Sequence, residues 1–205
     1  MRKMFTAALY TALAVGATVR ASEPGRRSDS LERAFPSKGR IVMDLSAGEY
    51  RIVGRPENRI RLEWTVRDPE QLSAARARAD VTGQQAKIVT DGPMNHFAVR
   101  MQVPERADLY IRLTAGDLRV ENIHGNKDIE SHAGELYIDV GHPEQYHHVD
   151  ASIWAGELHA PPYRVQKEGL FRSFDWKGNG PYRLHARLKA GELRLFAKPP
   201  AEAER

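Results

Sequence analysis

Hydrophobic and polar residues alternate along most of the chain, with the period of two that is typical of β-strands with one buried face. Residues 60–66 and 99–103 show this alternation most clearly. One segment departs from it, because Asp68 and Pro69 form a helix start signal and the following stretch, Gln71–Ala79, is rich in Ala and Arg. The pattern therefore predicts an all-β chain with one short inserted helix.

An Ala-Gly-acid motif interrupts the alternation at regular points. Its copies are Ala47-Gly48-Glu49, Ala115-Gly116-Asp117, Ala133-Gly134-Glu135, Ala155-Gly156-Glu157 and Ala190-Gly191-Glu192. Ala115 and Leu118 lie three positions apart, so strict alternation cannot place both on one face of a strand. A corner at the glycine returns both to the interior, and glycine suits a corner because it adopts positive φ without a steric penalty. Structural corners are therefore predicted at Gly48, Gly116, Gly134, Gly156 and Gly191.

The spacing of these corners predicts a stacked arrangement. The three central glycines are 18 and 22 residues apart, a span typical of one coil in a stacked β-repeat. The first and last gaps, of 68 and 35 residues, require insertions. A β-solenoid-like domain is the favoured architecture. An antiparallel β-sandwich is the alternative, since it also gives alternating strands.

Both ends of the chain differ in composition from the middle. Arg2 and Lys3 precede a charge-free, Ala-rich run, and Val19-Arg20-Ala21 fits a signal-peptidase site. We therefore expect a signal peptide at 1–21, a polar lead-in at 22–36, the β-repeat domain at 37–197 and a charged tail at 198–205. A retained membrane anchor is the alternative for the first segment. Export to the periplasm, the cell surface or the medium follows from this interpretation, and no transmembrane segment is expected in the mature chain.

Charge and cysteine content narrow the function. The chain has a net charge of +4, but the predicted leader holds three basic residues and no acid, so 28 basic residues face 27 acidic ones in the remainder. This balance argues against nucleic acid as a partner, because nucleic acid requires a concentrated basic face. The absence of cysteine excludes disulfides.

Three groups of residues are candidate ligand sites. The repeated acids are expected to point outward, where they could bind Ca²⁺ or pair with Arg51, Arg119 and Arg194 two positions further on; the ion-paired surface is favoured. The aromatic residues near the turn at Gly178 form either a ligand surface or a plug made by Phe171 and Phe174 at the end of the stack. The possible ligand surface consists of Trp154, Phe171, Phe174, Trp176 and Tyr182.

The histidines form the third group. The residues that could gather around zinc are His132, His142, His147, His148, Glu144 and Asp150. Adjacent histidines on a strand face opposite ways, and no zinc-binding spacing occurs, so a polar turn is favoured and no metal or other cofactor is expected. Catalytic motifs are equally absent from the sequence. A lyase-like use of Asp117, Glu135 and Arg119 on a β-helix scaffold is the enzymatic alternative.

Several segments resemble the bacterial putative adhesin family. They are Met101-Gln102-Val103-Pro104, Ala107–Val120 and Asn126–Val140, and the run Ala151–Leu158 together with Gly169–Phe174 is similar to one branch of that family. The resemblance extends over roughly residues 35 to 196 and implies an exported domain of short β-repeats with no catalytic residues. The sequence therefore predicts an exported, non-catalytic binding or structural module of the cell envelope, with an envelope or extracellular protein or glycan as its partner.

Overall fold

The computed structural model describes residues 27–93 and 96–197, which form thirteen strands and three short 3₁₀ turns. The first seven strands are β1 Ser28–Ala34, β2 Arg40–Leu45, β3 Gly48–Arg55, β4 Arg59–Thr65, β5 Arg76–Thr82, β6 Gln85–Asp91 and β7 Ala98–Pro104. The other six are β8 Asp108–Leu113, β9 Gly116–Glu121, β10 Lys127–Asp139, β11 Tyr146–Ala160, β12 Val165–Lys177 and β13 Tyr182–Phe196. The 3₁₀ turns are Pro69–Ser73, Pro143–Gln145 and Pro161–Tyr163. The predicted all-β class is confirmed. The predicted signal peptide and charged tail lie outside the described residues.

The strands form two layers that are joined along a row of glycines. The first half of β10 pairs with β8, and its second half, beyond Gly134, pairs with β9. We call the sheet that holds β5, β6, β2, β8, the first halves of β10, β13 and β11 and the second half of β12 layer A. Layer B holds β1, β4, β7, β3, β9 and the remaining halves of the same four long strands.

The pairing is parallel in the centre and antiparallel at the margins. β10, β13 and β11 run parallel to each other, with Gly134 opposite Gly191 and Gly191 opposite Gly156. Gly48 lies opposite Gly116 in the same way. Antiparallel pairs join only β1 to β4, β4 to β7, β5 to β6 and β11 to β12 among the described strands. The architecture is thus mixed rather than purely antiparallel.

Four of the predicted corner glycines have a positive φ, between 110° at Gly116 and 133° at Gly191. Gly48, at the start of β3, does not share this conformation. In β10 the last buried position before the bend is Ser131 and the first after it is Leu136. The two positions are an odd number of residues apart, so the alternation of inward and outward side chains changes phase at the bend. This change allows both layers to bury apolar side chains in one core.

Two segments differ from the sequence prediction. The predicted helix Gln71–Ala79 is wrong: a 3₁₀ turn ends at Ser73, and Arg76–Thr82 is strand β5. Its residues alternate across the sheet, with Ala79 buried, and Gly83 at φ 59° turns the chain into β6. Strand pairing with β6 therefore overrides the helix propensity of Ala and Arg. Within the predicted lead-in, β1 pairs with β4 and Phe35 is buried.

Candidate functional site

The outward side chains of layer A form one continuous surface, which we call the layer A face. They occupy alternate positions of β12, β11, β13, β10, β8, β2 and β6, and adjacent strands bring them into rows. The row nearest the glycine bends runs from β12 to β2 and consists of Phe171, Trp154, Lys189, His132, Thr114 and Ser46.

An exposed aromatic pair stands at the β12 end of this row. Trp154 is 56% exposed and Phe171 is 71% exposed. Their rings meet edge to face, with centroids 5.8 Å apart and planes at 83°. Leu170 beside them is 58% exposed. An exposed cluster of large apolar side chains is a feature of interaction surfaces, so this pair is the first element of the candidate site.

Two cations adjoin the aromatic pair. Lys189 lies opposite Trp154 on β13, because Ile153 pairs with Leu188 on one side and Ala155 with Ala190 on the other. Arg187 is two positions earlier on the same outward face. Within residues 27–93 and 96–197, neither cation has an ion-pair partner. Both line a groove of about 620 Å³ in the layer A face.

The groove continues from these cations across the layer. Its outward lining residues include Arg112, Thr114, Glu130 and His132. Arg112 lies 3.6 Å from Glu130 and donates a 2.7 Å hydrogen bond to Asp128. Arg112 therefore partly neutralises Glu130 and Asp128 on this side of the groove, whereas Arg187 and Lys189 form no ion pair within the described residues.

The far margin of the layer A face is an ion-pair cluster around Asp150. Its carboxylate pairs with His185 and with Arg183, the latter at 3.2 Å. Burial raises the pKa of Asp150, but the hydrogen bonds from His185 and Arg183 outweigh it and lower the pKa below its ordinary value. His148 lies 2.5 Å from Asp175. No group of three His, Asp or Glu side chains in the described part of the chain is arranged to hold a metal ion.

The other predicted aromatic residues do not belong to this surface. Phe174, Trp176 and Tyr182 are partly buried and pack against the core. Tyr163 stacks on Phe174 and Trp176 with centroids 5.7 and 5.1 Å away. Phe174, Trp176 and Tyr163 close the β12 end of the core, whereas Tyr182 contacts Tyr146. The sequence analysis did not identify Tyr163. Because a residue after two prolines resembles an ordinary loop position, only its burial reveals this role.

One detail of the sequence prediction for this region is wrong. Phe171 is not a plug, since its ring is exposed. β12 and β13 are not neighbours, because β11 lies between them. Alternation along β12 and a bend at Gly169, with φ 105°, explain why Phe171 faces outward while Phe174 faces the core.

The repeated acids form a single row on the outside of layer B. Glu49 lies opposite Asp117, and Glu192 lies opposite both Glu135 and Glu157. Burial, followed by the charges of Glu135 and Glu49, raises the pKa of Asp117. This is the mutual repulsion expected for stacked carboxylates.

The partners of these acids differ from the prediction. Arg194 pairs with Glu192 at 2.6 Å as expected. Arg51 and Arg119, however, both turn to Glu121, at 2.7 and 3.1 Å. Burial raises the pKa of Glu121, but the hydrogen bonds from the two arginines outweigh it and lower the pKa. A buried carboxylate attracts the guanidinium groups more strongly than an exposed one, because it has lost its own hydration.

This arrangement bears directly on the lyase-like alternative. Arg119 is held by Glu121 rather than by Asp117 or Glu135. Glu135 accepts a 2.9 Å hydrogen bond from the hydroxyl of Tyr137, which raises the pKa of that tyrosine to about 12. Such a phenol is a poor general base at neutral pH. The three groups named for the lyase line one pocket of about 510 Å³ on layer B, where the guanidinium of Arg119 is turned to Glu121.

One buried cation lies outside both faces. Lys127 is fully buried at the start of β10 and donates hydrogen bonds to the Ile123 carbonyl, at 2.7 Å, and to the Tyr146 hydroxyl. Burial lowers the pKa of Lys127 to about 7, against the opposing effect of Asp139 and Asp108. Sequence reasoning missed it because lysine is ordinarily a surface residue.

Comparisons with known proteins support the fold. No protein-family model matches the chain, and no curated protein matches it either. A solved structure described as a putative cell adhesion protein from Clostridium sporogenes is 10% identical, with a TM-score of 0.56, and the match covers 84% of this chain and 100% of that one. A putative adhesin from Bacteroides fragilis is 8% identical, with a TM-score of 0.36, over 84% and 99% of the two chains.

The described residues contain no helix long and apolar enough to cross a membrane. The likeness to the Clostridium sporogenes structure extends over the whole of that protein, although the two sequences share few residues. The resemblance inferred from the sequence is thus confirmed at the level of architecture: this chain has the all-β fold of a solved protein that bears the name of a cell adhesion protein.

Proposed function

We propose that the chain is an exported, non-catalytic binding or structural module of the cell envelope, and that its ligand docks at the β12 end of the layer A face. The observation that carries this proposal is the exposed pair of Trp154 and Phe171 beside Lys189 and Arg187, two cations with no ion-pair partner in the described part of the chain. Exposed aromatic rings beside charged groups provide both apolar contact area and orientation. The name of the Clostridium sporogenes neighbour agrees with a binding role.

The architecture suits such a role. We interpret the rungs as a solenoid-like stack, with the corner glycines in register so that each rung presents its outward side chains beside those of the next. The parallel register of β10, β13 and β11 supports this interpretation. A stack of this kind gives an extended, regular surface. Export rests on the predicted signal peptide, and the address is the periplasm or the cell surface.

A cross-linked pull-down from envelope material tests the proposal. The protein is compared with the double variant Trp154→Ala, Phe171→Ser, and with Tyr137→Ala as an exposed aromatic control on layer B. We expect the double variant to retain at least about tenfold less envelope material, since aromatic anchors dominate binding energy. The control should retain as much as the parent.

Two results would contradict the proposal. Equal retention by the parent and the double variant would remove the layer A face as the docking site. New reducing ends or unsaturated sugars in the envelope glycans after incubation with the protein would show turnover and favour the lyase-like alternative. The same samples serve for both measurements.

A further inference from the structure

One member of the aromatic pair has an unusual backbone conformation. Phe171 has a φ of 53°, in the left-handed region that residues with a side chain seldom adopt. The strand register places Phe171 opposite Trp154 on the outward face, and the two exposed rings are in edge-to-face contact. Strained conformations of this kind persist where the surrounding structure imposes them, and they concentrate at binding sites. Exposure and strain therefore point independently to a ligand at this position.

The chemistry around the pair defines what it can bind. Lys189 lies one strand from Trp154, at the ordinary strand spacing of about 4.8 Å, and Arg187 is its neighbour on the same face. Ser152 and Ser173 face outward on β11 and β12 in the row of Arg187. An indole ring, hydroxyl groups and sparse positive charge thus lie within the width of a few strands. From the proposed binding role we infer that the ligand is an acidic polysaccharide, with a sugar ring on Trp154 and its carboxylate on Lys189 and Arg187.

Sparse cations favour a sugar acid over a polyphosphate. Nucleic acid carries one phosphate per nucleotide and is held by many basic residues along a continuous track. Arg187 and Lys189 have no ion-pair partner within the described residues, although Glu130 lies opposite Arg187 on β10. Arg112 and Arg183 are already paired with acids. Lys167 and Arg172, which line a small pocket with Phe171 at the edge of β12, donate hydrogen bonds to backbone carbonyls. A chain with one carboxylate on every sugar or every second sugar meets Arg187 and Lys189 without placing further charge against Asp128 and Asp150.

The acid row of layer B argues against a membrane surface. Glu157 is three residues beyond Trp154, across the bend at Gly156, and Glu192 and Glu135 continue the row beside it. A broad anionic bilayer that covered the aromatic pair would also approach these carboxylates, which it would repel. A narrow polymer that lies in the groove beside Arg187 and Lys189 avoids them.

Binding of defined polymers tests the inference. Titration calorimetry compares polygalacturonate, alginate and hyaluronate with fully methyl-esterified polygalacturonate, which keeps the sugar backbone and loses the charge. We expect at least one acidic polymer to bind about tenfold more tightly than the ester. Trp154→Ala and Lys189→Gln should each weaken that binding by about tenfold. Lys38→Gln, at an exposed loop position before β2, and Tyr137→Ala should leave it unchanged.

The alternatives give distinct results. Failure of all three acidic polymers to bind, together with Trp154-dependent retention of envelope material, would overturn the acidic polysaccharide and leave the binding role intact. Equal binding of the ester, or no effect of Lys189→Gln, would overturn the role of charge. Tighter binding of phosphatidylglycerol vesicles or of oligo(dT) would identify a lipid or a nucleic acid instead and would also overturn the inference. Thermal unfolding of each variant verifies that the fold is retained.

Discussion

At the scale of single residues, the glycine row shows how a backbone conformation and a close approach act together. Gly134 has a φ of 117°, and a Cβ placed there would lie 2.0 Å from the carbonyl oxygen of Gly116 on the neighbouring strand. We therefore expect Gly134→Ala to lower the free energy of unfolding by at least ~2 kcal/mol. Chemical denaturation followed by circular dichroism measures this change.

Gly83 provides the matched control. It also has a positive φ, 59°, but a Cβ there would meet nothing within 4 Å. Gly83→Ala should lower the free energy of unfolding by only about 1 kcal/mol, because the positive φ alone opposes the new side chain. Equal losses for the two variants would show that the close approach at the bend contributes nothing.

Lys127 provides a second residue-scale prediction, which concerns pH. Its pKa is lowered to about 7 in the folded state, from 10.5, so between these values the unfolded chain binds more protons than the folded one. The free energy of unfolding should therefore increase as the pH rises through this window. Above about pH 10 the buried tyrosines reverse the trend, because burial raises the pKa of Tyr146 and Tyr163. Urea unfolding between about pH 7 and pH 9.5 measures the increase.

The variant Lys127→Met keeps a long side chain and removes the titrating group. It should flatten the pH dependence between those limits, whatever its effect on overall stability. Lys167→Met, at an exposed position on β12, is the control and should keep the slope of the parent. A parent protein whose stability is constant or falls between pH 7 and pH 9.5 would contradict a neutral Lys127.

At the scale of elements, β12 closes one end of the core with some of its side chains and contributes others to the exposed layer A face. Trp176 packs on Tyr163 and the core, whereas Trp154 on the adjacent strand is exposed. We expect Trp176→Ala to destabilise the protein by about 2 kcal/mol, since part of a large side chain leaves the core. Trp154→Ala should change stability by no more than about 0.5 kcal/mol.

Thermal melting distinguishes the two tryptophans. A large loss for Trp154→Ala would mean that its ring supports the fold, and its exposure would then not indicate a ligand surface. The melting temperatures also serve as a control for the binding experiments. If a variant keeps its melting temperature and binds more weakly, the loss of affinity comes from a lost contact and not from unfolding.

The sequence predicted the elements correctly where the period of hydrophobic residues and the positions of the glycines indicated the same structure. It failed where the pairing between strands determined the structure. The change of phase at the corner glycines was readable because Ala115 and Leu118 lie three positions apart and both must face inward. The stretch 76–82 was misread because its Ala and Arg residues favour helices in isolation, and only the partner β6 makes it a strand. Phe171 was identified as a candidate, but its outward direction depends on its pairing with β11 opposite Trp154, which no residue pattern specifies.

At the scale of the whole molecule, the order of strands in space departs from their order in the chain. β13 inserts between β10 and β11, so the last described strand occupies an interior position of the sheet. The repeat spacing cannot reveal this, because Gly191 would fit a rung beyond Gly156 equally well. The insertion leaves β12 paired on one side only, at the end of the structure where Trp154 and Phe171 are presented. The candidate site therefore depends on a connection that sequence periodicity does not specify.

This topology predicts an order of local stability. β10 and β13 have hydrogen-bonded neighbours on both sides along their length, whereas β1, β5 and β12 are edge strands with one neighbour each. Native-state hydrogen exchange should therefore show the slowest amides in β10 and β13, and much faster exchange in the three edge strands, because local opening of an edge breaks fewer contacts. If β12 exchanged as slowly as β13, it would have to be covered on its open side. The acidic polymer that binds in the calorimetry should slow amide exchange in β12 and β11. It should leave exchange in β1 and β5 unchanged, since those strands lie at the opposite ends of layers B and A.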